Sequence, residues 1–267
     1  MHITTDDRTF EYALKCKHYH ETLASERGLI SFNAWCINNA SKETHARLQK
    51  AGFTTHVVIN DTGRGSAQHA VALNDVVKNM DRSCINIIAD ADTAALKYGW
   101  DEVIRKLHST YDCVGIQNPD DVVRHGVRTP KQTWLGKPVP QWVSFKDGID
   151  WSTLDSTPDK QSNETIDRNE LRNVYGLSYN DRTLLKDTMW KLPRFLVDGN
   201  MTWYVFDGPY WHASENSAVF RGDTKLNTED EFHHEGVPIL THGRCCRHNT
   251  KDPFWIAVER YVSSLSC

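Results

Sequence analysis

No run of about 18 apolar residues occurs in the 267-residue chain, so no segment reads as a membrane-spanning helix. The opening MHITTDDRTF lacks the charged-then-apolar order of a secretory leader. Net positive charge is also missing: 31 basic against 35 acidic residues leave −4, which excludes a global field drawing the chain to nucleic acid. Neither G-x-x-x-x-G-K-[ST] nor G-x-G-x-x-G is present, so the two commonest glycine-rich phosphate loops are absent. The seven cysteines are odd in number and scattered, unlike a disulfide framework, and point to a reduced, cytoplasmic setting. Cys84 and Cys113 are expected in buried strands, where a thiol behaves as a small hydrophobe. His233, His234, His242, Cys245, Cys246 and His248 lack the regular spacing of a zinc site. A single histidine from this group reaching a metal held elsewhere is the more economical use. No internal repeat or low-complexity tract is visible.

What is present is an alternation of periods. Residues 11–27 predict a helix with Tyr12, Cys16, Tyr19 and Leu23 on one face, closed by Gly28. LISFNAWC (29–36) follows as a strand. Ser41 caps a helix through Ala51, with Gly52 behind it, and TTHVVIN (54–60) is the next strand. Asp61 opens a loop containing Gly63, Arg64 and Gly65, and Ser66 caps a helix with Ala70, Leu73, Val77 and Met80 on its face. A strand ending near Asp90, a helix carrying Trp100, Val103, Ile104 and Leu107, and YDCVGIQ (111–117) complete a β-α-β-α-β-α-β order. That order predicts a mainly parallel, doubly wound α/β sheet over 1–118. Beyond Asn118 the pattern is irregular: WVSF (142–145) and TWYVF (202–206) read as strands, 167–176 as a short helix, and the chain closes on a helix with Trp255, Val258, Val262 and Leu265 on one face. Nine tryptophans are many for this length, and core packing is the ordinary use for them.

The chemistry centres on CINIIADADTAAL (84–96). A buried strand delivers Asp90 and Asp92 at its carboxyl end, where open α/β sheets bind their ligands. Two carboxylates one residue apart can share a hard divalent cation that also holds a diphosphate. The ordinary alternative is a pair of turn aspartates capping the next helix. An aspartyl-phosphatase pattern D-x-D-x-T/V fails at Ala94. The glycine-rich loop after Asp61 leads into a helix N-terminus, whose free N–H groups suit an anion. Asp147, Asp150, Asp155, Asp159 and Asp167 supply carboxylates from which a general base could come.

Residues 57–96, VVINDTGRGSAQHAVALNDVVKNMDRSCINIIADADTAAL, resemble the GT-A class of nucleotide-sugar glycosyltransferases, family-two-like members in particular. The resemblance lies in a strand, an acidic turn at Asp61, the small-residue loop, a Leu73-Asn74 helix and a strand ending in D-x-D. Asp112, Val114 and Gly115 match the family's next strand, and PILTHGRCCR resembles the segment that presents a metal-binding histidine. It implies a Rossmann-like, mixed but mainly parallel sheet flanked by helices, with an irregular acceptor-side cap over 119–267. It further implies one compact catalytic domain moving a hexosyl or pentosyl group from a nucleoside diphosphate, most often UDP, with Mn²⁺ or Mg²⁺. Asp92 would ligate the cation, Asp90 would touch it or the ribose, and His242 would complete the shell. Asn33, Ala34 and Asp61 would line the nucleoside pocket, and Arg64 with Arg244 or Arg247 would meet the diphosphate. If the reaction inverts, Asp155 or Asp147 would be the base, although the family's paired E-D signature followed by an aromatic-rich helix is not found. The acceptor is open: a glycan, a small molecule, a protein or a modified base in DNA, the last suggested by Arg124, His125, Arg128, Lys131 and Lys137. Two other classes use the same residues, a non-catalytic nucleotide- or carbohydrate-binding module and a metal-dependent phosphohydrolase.

Overall fold

A computed structural model describes residues 1–59, 66–117, 121–124, 127–130, 136–158, 169, 173–174, 188–210, 215–222, 230–243 and 251–265. A seven-stranded mixed sheet forms the centre. It is built from β1 (His2–Thr5), β2 (Phe32–Cys36), β3 (Phe53–Val57), β4 (Asn86–Asp90), β6 (Cys113–Gly115), β9 (Trp142–Phe145) and β10 (Trp203–Val205), in the spatial order β10-β6-β9-β4-β1-β2-β3. β4, β1, β2 and β3 run parallel, as do β6 and β10, and β9 is antiparallel to both its neighbours. β9 and β10 come from beyond residue 118, so the two halves of the chain share one sheet. A second, antiparallel sheet has the order β11-β12-β13-β5, from β11 (Asp207–Tyr210), β12 (Asp230–His234), β13 (Val237–His242) and β5 (Thr93–Ala95). β7 (Asp121–Arg124) and β8 (Val127–Pro130) form a separate hairpin.

The predicted α/β order holds, with one strand added at the front. β1 is short and mostly polar, which hid it, yet Ile3 is fully buried and His2 and Thr5 nearly so. Its polar side chains are buried with partners: His2 Nε2 faces Asn86 Oδ1 at 3.1 Å, and Trp35 Nε1 donates to His2 Nδ1 at 3.2 Å. That satisfaction makes the burial affordable, because unpaired polar groups in a core cost several kcal/mol. Burying Ile3 contributes about 2 kcal/mol.

Helices α1 (Phe10–Thr22), α2 (Lys42–Lys50), α3 (Ser66–Lys78) and α4 (Trp100–His108) flank the main sheet, with α5 (Leu192–Asp198) and α6 (Lys251–Ser264) later in the chain. Ser41 caps α2 as predicted, its hydroxyl accepting from Thr44 N–H at 3.2 Å. α1 stops at Thr22, short of Gly28, and a 3₁₀ turn over Arg27–Leu29 intervenes. α6 buries Trp255 and Val258 and packs Val262 against the core as predicted, with Phe254 and Ala257 buried beside them, while Leu265, just past its last residue, stays exposed. Trp255 stacks on Tyr19 at 5.7 Å between ring centres, which docks α6 on α1. Six tryptophans, Trp35, Trp100, Trp142, Trp151, Trp190 and Trp255, are buried, confirming packing as their use. Cys113 is buried as expected, but Cys84 is exposed because β4 begins two residues after it. Most of the predicted 167–176 helix lies outside the described residues. Among the described residues, no helix is long and apolar enough to cross a membrane.

Candidate metal centre

Three strand ends meet at one point. β4 carries Asp90 to the carboxyl edge of the main sheet, where its N–H donates to Gln141 O at 2.8 Å and its carbonyl accepts from Thr93 Oγ1 at 2.9 Å. The chain then turns through Ala91 and Asp92 and leaves as β5, joining the second sheet. In that sheet His242 stands opposite Thr93, and Gly243 N–H donates to Asp92 O at 2.7 Å. The register therefore delivers a histidine from about 150 residues away to the side of the aspartates. α1 supports the turn from beneath, with the buried Cys16 Sγ 3.4 Å from Thr93 Oγ1. Burial pushes the Cys16 thiol up to about 12, so it packs there as an inert group.

His242 Nε2 lies 3.6 Å from Asp90 Oδ2 and 3.5 Å from Asp92 Oδ1, and the three ligand atoms all fall within 4.8 Å of one another. In an octahedral site with bonds near 2.1 Å, cis donors sit about 3 Å apart and trans donors about 4.2 Å. The donors here fit that frame with small side-chain adjustments. Oxygen donors from two carboxylates suit Mg²⁺ or Mn²⁺, and the imidazole is tolerated by the latter. Burial disfavours an imidazolium at His242, but attraction from Asp92 and close contact with both carboxylates outweigh it and raise its pKa to about 10. Positive charge is thus strongly favoured at the centre of the cluster. A divalent cation would satisfy the same two carboxylates, displacing the proton from His242.

No protein-family model and no curated protein sequence matches the chain. Among solved structures, it is similar to a mannosyltransferase from Pyrobaculum calidifontis in complex with GDP-Man and Mn²⁺, at 15% identity and a TM-score of 0.37, over 54% of this chain and 43% of that one. It is also similar to residues 1–349 of TarS from S. aureus in complex with UDP-GlcNAc, at 12% identity and a TM-score of 0.38, over 59% and 48%. The structural neighbours are of the GT-A type. They include nucleotide-transferring relatives of that fold: a protein described as a glucose-1-phosphate thymidylyltransferase from Bacillus anthracis aligns at 11% identity and a TM-score of 0.39, over 78% and 86%. The chain spans less than half the length of the first two glycosyltransferase structures. Likeness of this degree carries no argument about activity, which has to come from the cluster itself.

Of the residues expected at the site, Asp90, Asp92 and His242 come together. Asp61, Arg64, Arg244 and Arg247 lie outside the described residues. Asn33 and Ala34 sit near the start of β2, not at its end: Asn33 Oδ1 meets His56 Nε2 at 3.0 Å, and Ala34 is fully buried. The unrecognised β1 shifts the frame by one strand, so the side chain at the edge beside β4 is Asp6, which is buried and takes bonds from Arg8, Thr9 and Asn38. The register places Asp147 at the wrong end of the sheet. Phe145 pairs with Asn86, the first residue of β4, so Asp147 lies beyond the edge opposite Asp90, more than about 13 Å away along the strand. Asp155 is ion-paired with Lys191; burial would raise its carboxyl, but bonds from Lys191 and Thr157 hold it down at about 2. A carboxylate that acidic is a weak base near neutral pH.

Two further residues escaped sequence reasoning. His69, in the first turns of α3, places Nε2 3.5 Å from Asp90 Oδ1. Asp230 is the cross-strand partner of His242 on β12 and is only 5% exposed. His233, one of two histidines on β12, is used differently: its Nε2 lies 2.6 Å from the fully buried Glu231, which also accepts from Ser217 Oγ and from the Ala218 and Val219 N–H groups. That carboxylate pins residues 217–219 to the second sheet, and the histidines share no common metal site among the described residues.

Proposed function

We propose that the chain is a metal-dependent glycosyltransferase that moves a hexosyl or pentosyl group from a nucleoside diphosphate, UDP by the sequence resemblance, to an acceptor hydroxyl. The observation carrying this reading is the convergence of Asp90, Asp92 and His242 at the carboxyl edge of a mainly parallel sheet. Asp92 and His242 bind Mn²⁺ or Mg²⁺ directly, with Asp90 as the third ligand. A cation held by these residues would supply stabilisation of the negative charge that develops on the departing diphosphate. The clamped backbone of Asp90, held at both its N–H and its C=O, fixes the ligand geometry before substrate arrives.

An inverting transfer needs a carboxylate to take the proton of the acceptor hydroxyl. We assign that role to Asp230 in place of Asp155 and Asp147. Cross-strand neighbours have Cβ atoms about 4.5–5.5 Å apart, which sets Asp230 beside the His242 side of the cluster. A panel of nucleotide-sugars incubated with Mn²⁺ and the full chain tests the reading. Metal-dependent release of a free nucleoside diphosphate, lost in Asp92→Ala, is the expected result. Release of inorganic phosphate from the nucleotide alone would instead make the chain a phosphohydrolase, and full turnover by Asp92→Ala would remove the cluster from the chemistry.

A further inference from the structure

His69 has no part in the three-ligand set, yet it is aimed at one of its members. Its Nε2 is buried and has no hydrogen-bond partner among the described residues, and it stands 3.5 Å from Asp90 Oδ1. The other oxygen of the same carboxylate, Oδ2, faces His242 at 3.6 Å. Asp90 is therefore flanked by two imidazoles, one on each oxygen, brought from α3 and from β13. Only His242 belongs to the group whose ligand atoms lie within 4.8 Å of one another. His69 stands on the outer side of Asp90, so it is not placed to ligate the same ion.

We infer that His69 is the positioning residue for Asp90, donating from Nε2–H to Oδ1 so that Oδ2 is presented to the cation. This rests on the metal reading of the cluster. A movement of roughly 0.5 Å would bring the contact to hydrogen-bond length. The histidine side chain and the carboxylate side chain are each 24% exposed, so water competes only in part for the bond. Groups that orient metal ligands from behind in this way typically change metal affinity 10–100-fold when removed. The backbone clamps on Asp90 fix where its Cα sits, and the side-chain torsion is what His69 adds.

Mn²⁺ alone, titrated into the full chain with free ion read from its electron paramagnetic resonance signal, tests this without any substrate. His69→Ala and His69→Phe, the second preserving ring volume without nitrogen, should weaken Mn²⁺ binding about 10–100-fold. His69→Gln, whose amide N–H can reach the same oxygen, should recover most of the loss. Circular dichroism and melting temperature guard against misfolding; if His69→Ala does not fold, the Phe and Gln variants decide. Equal affinity in Phe, Gln and wild-type proteins overturns the inference while leaving the metal site standing. So does a Gln variant as weak as the Phe variant. Pulsed measurements showing two imidazole nitrogens bound to Mn²⁺ would make His69 a ligand and overturn the positioning role. A wild-type chain that binds no Mn²⁺ overturns the metal reading itself and this inference with it.

Discussion

Acidification should unfold this protein through two buried histidines, and the cause is visible in which nitrogen each indole meets. Trp142 Nε1 lies 3.4 Å from His20 Nε2, and Trp35 Nε1 lies 3.2 Å from His2 Nδ1. An indole N–H can only donate, so the nitrogen facing it must carry a lone pair. The opposite nitrogens then donate, His20 Nδ1–H to Cys16 O at 2.8 Å and His2 Nε2–H to Asn86 Oδ1 at 3.1 Å. Neither imidazole can take a second proton without breaking an indole bond. Burial lowers both from 6.5 to about 4. The sign follows directly. Between about pH 6.5 and 4 the unfolded chain binds more protons than the folded one, so stability is complete above 6.5 and is lost as pH falls toward 4.

At roughly 1.4 kcal/mol per tenfold change in proton affinity, each histidine is worth about 3 kcal/mol in full, and about 2 kcal/mol of that is gone by pH 5. Together the loss at pH 5 is about 4 kcal/mol, a large share of a typical 5–15 kcal/mol. With a urea slope near 2–3 kcal/mol per molar, the unfolding midpoint should fall by about 1–2 M between pH 7 and pH 5. His20→Gln removes one titrating group, so its pH 7 midpoint should be lower but its further fall on acidification about half as steep. Identical pH slopes in wild type and His20→Gln would refute the tautomer reasoning. The site is exposed to the same transition, because His20 and Cys16 lie on α1, which supports Thr93 and hence the aspartate turn.

Three other outcomes are expected. Mn²⁺ binding should release close to one proton per ion at pH 7–8 and tighten about tenfold per pH unit up to about 10, since His242 must lose its proton; calorimetry in buffers of different ionisation enthalpy measures this, and zero release would contradict it. Asp230→Asn should lower kcat about 10²–10⁴-fold while Mn²⁺ affinity stays within about twofold, and an equal loss of both would make Asp230 a ligand. Gly115→Ala should cost about 1–3 kcal/mol in urea unfolding. Its Cβ would come 2.9 Å from both Pro138 Cβ and the backbone oxygen of Trp142, and an unchanged midpoint would show that this strand yields easily.

Local pattern determined a good deal of this protein. The helices capped by Ser41 and starting at Ser66, the WVSF strand and the strand ending in Asp90 follow from periodicity and capping, which act over a few residues. The candidate metal pair was legible for the same reason: two aspartates at the end of an apolar run need no distant contact to be placed at a sheet edge. His242 was legible only by resemblance. What actually seats it is a hairpin whose two-residue turn, Glu235-Gly236, has positive φ at both positions, 52° and 76°. A Glu-Gly pair announces such a turn less clearly than Asn-Gly does, so the strands on either side went unread.

Tertiary structure alone decided the rest. β1 carries His2 and two threonines in its four residues, and only partners such as Asn86 and Trp35 make their burial favourable. Missing it displaced the expected nucleoside pocket by one strand. The orientation of β9 decided Asp147, because an antiparallel strand sends its end away from the site, and a lysine 36 residues downstream decided Asp155. His69 and Asp230 take their meaning from contacts across α3 and β12 that no spacing in the sequence encodes. Short-range rules built the aspartate edge; sheet register determined what surrounds it.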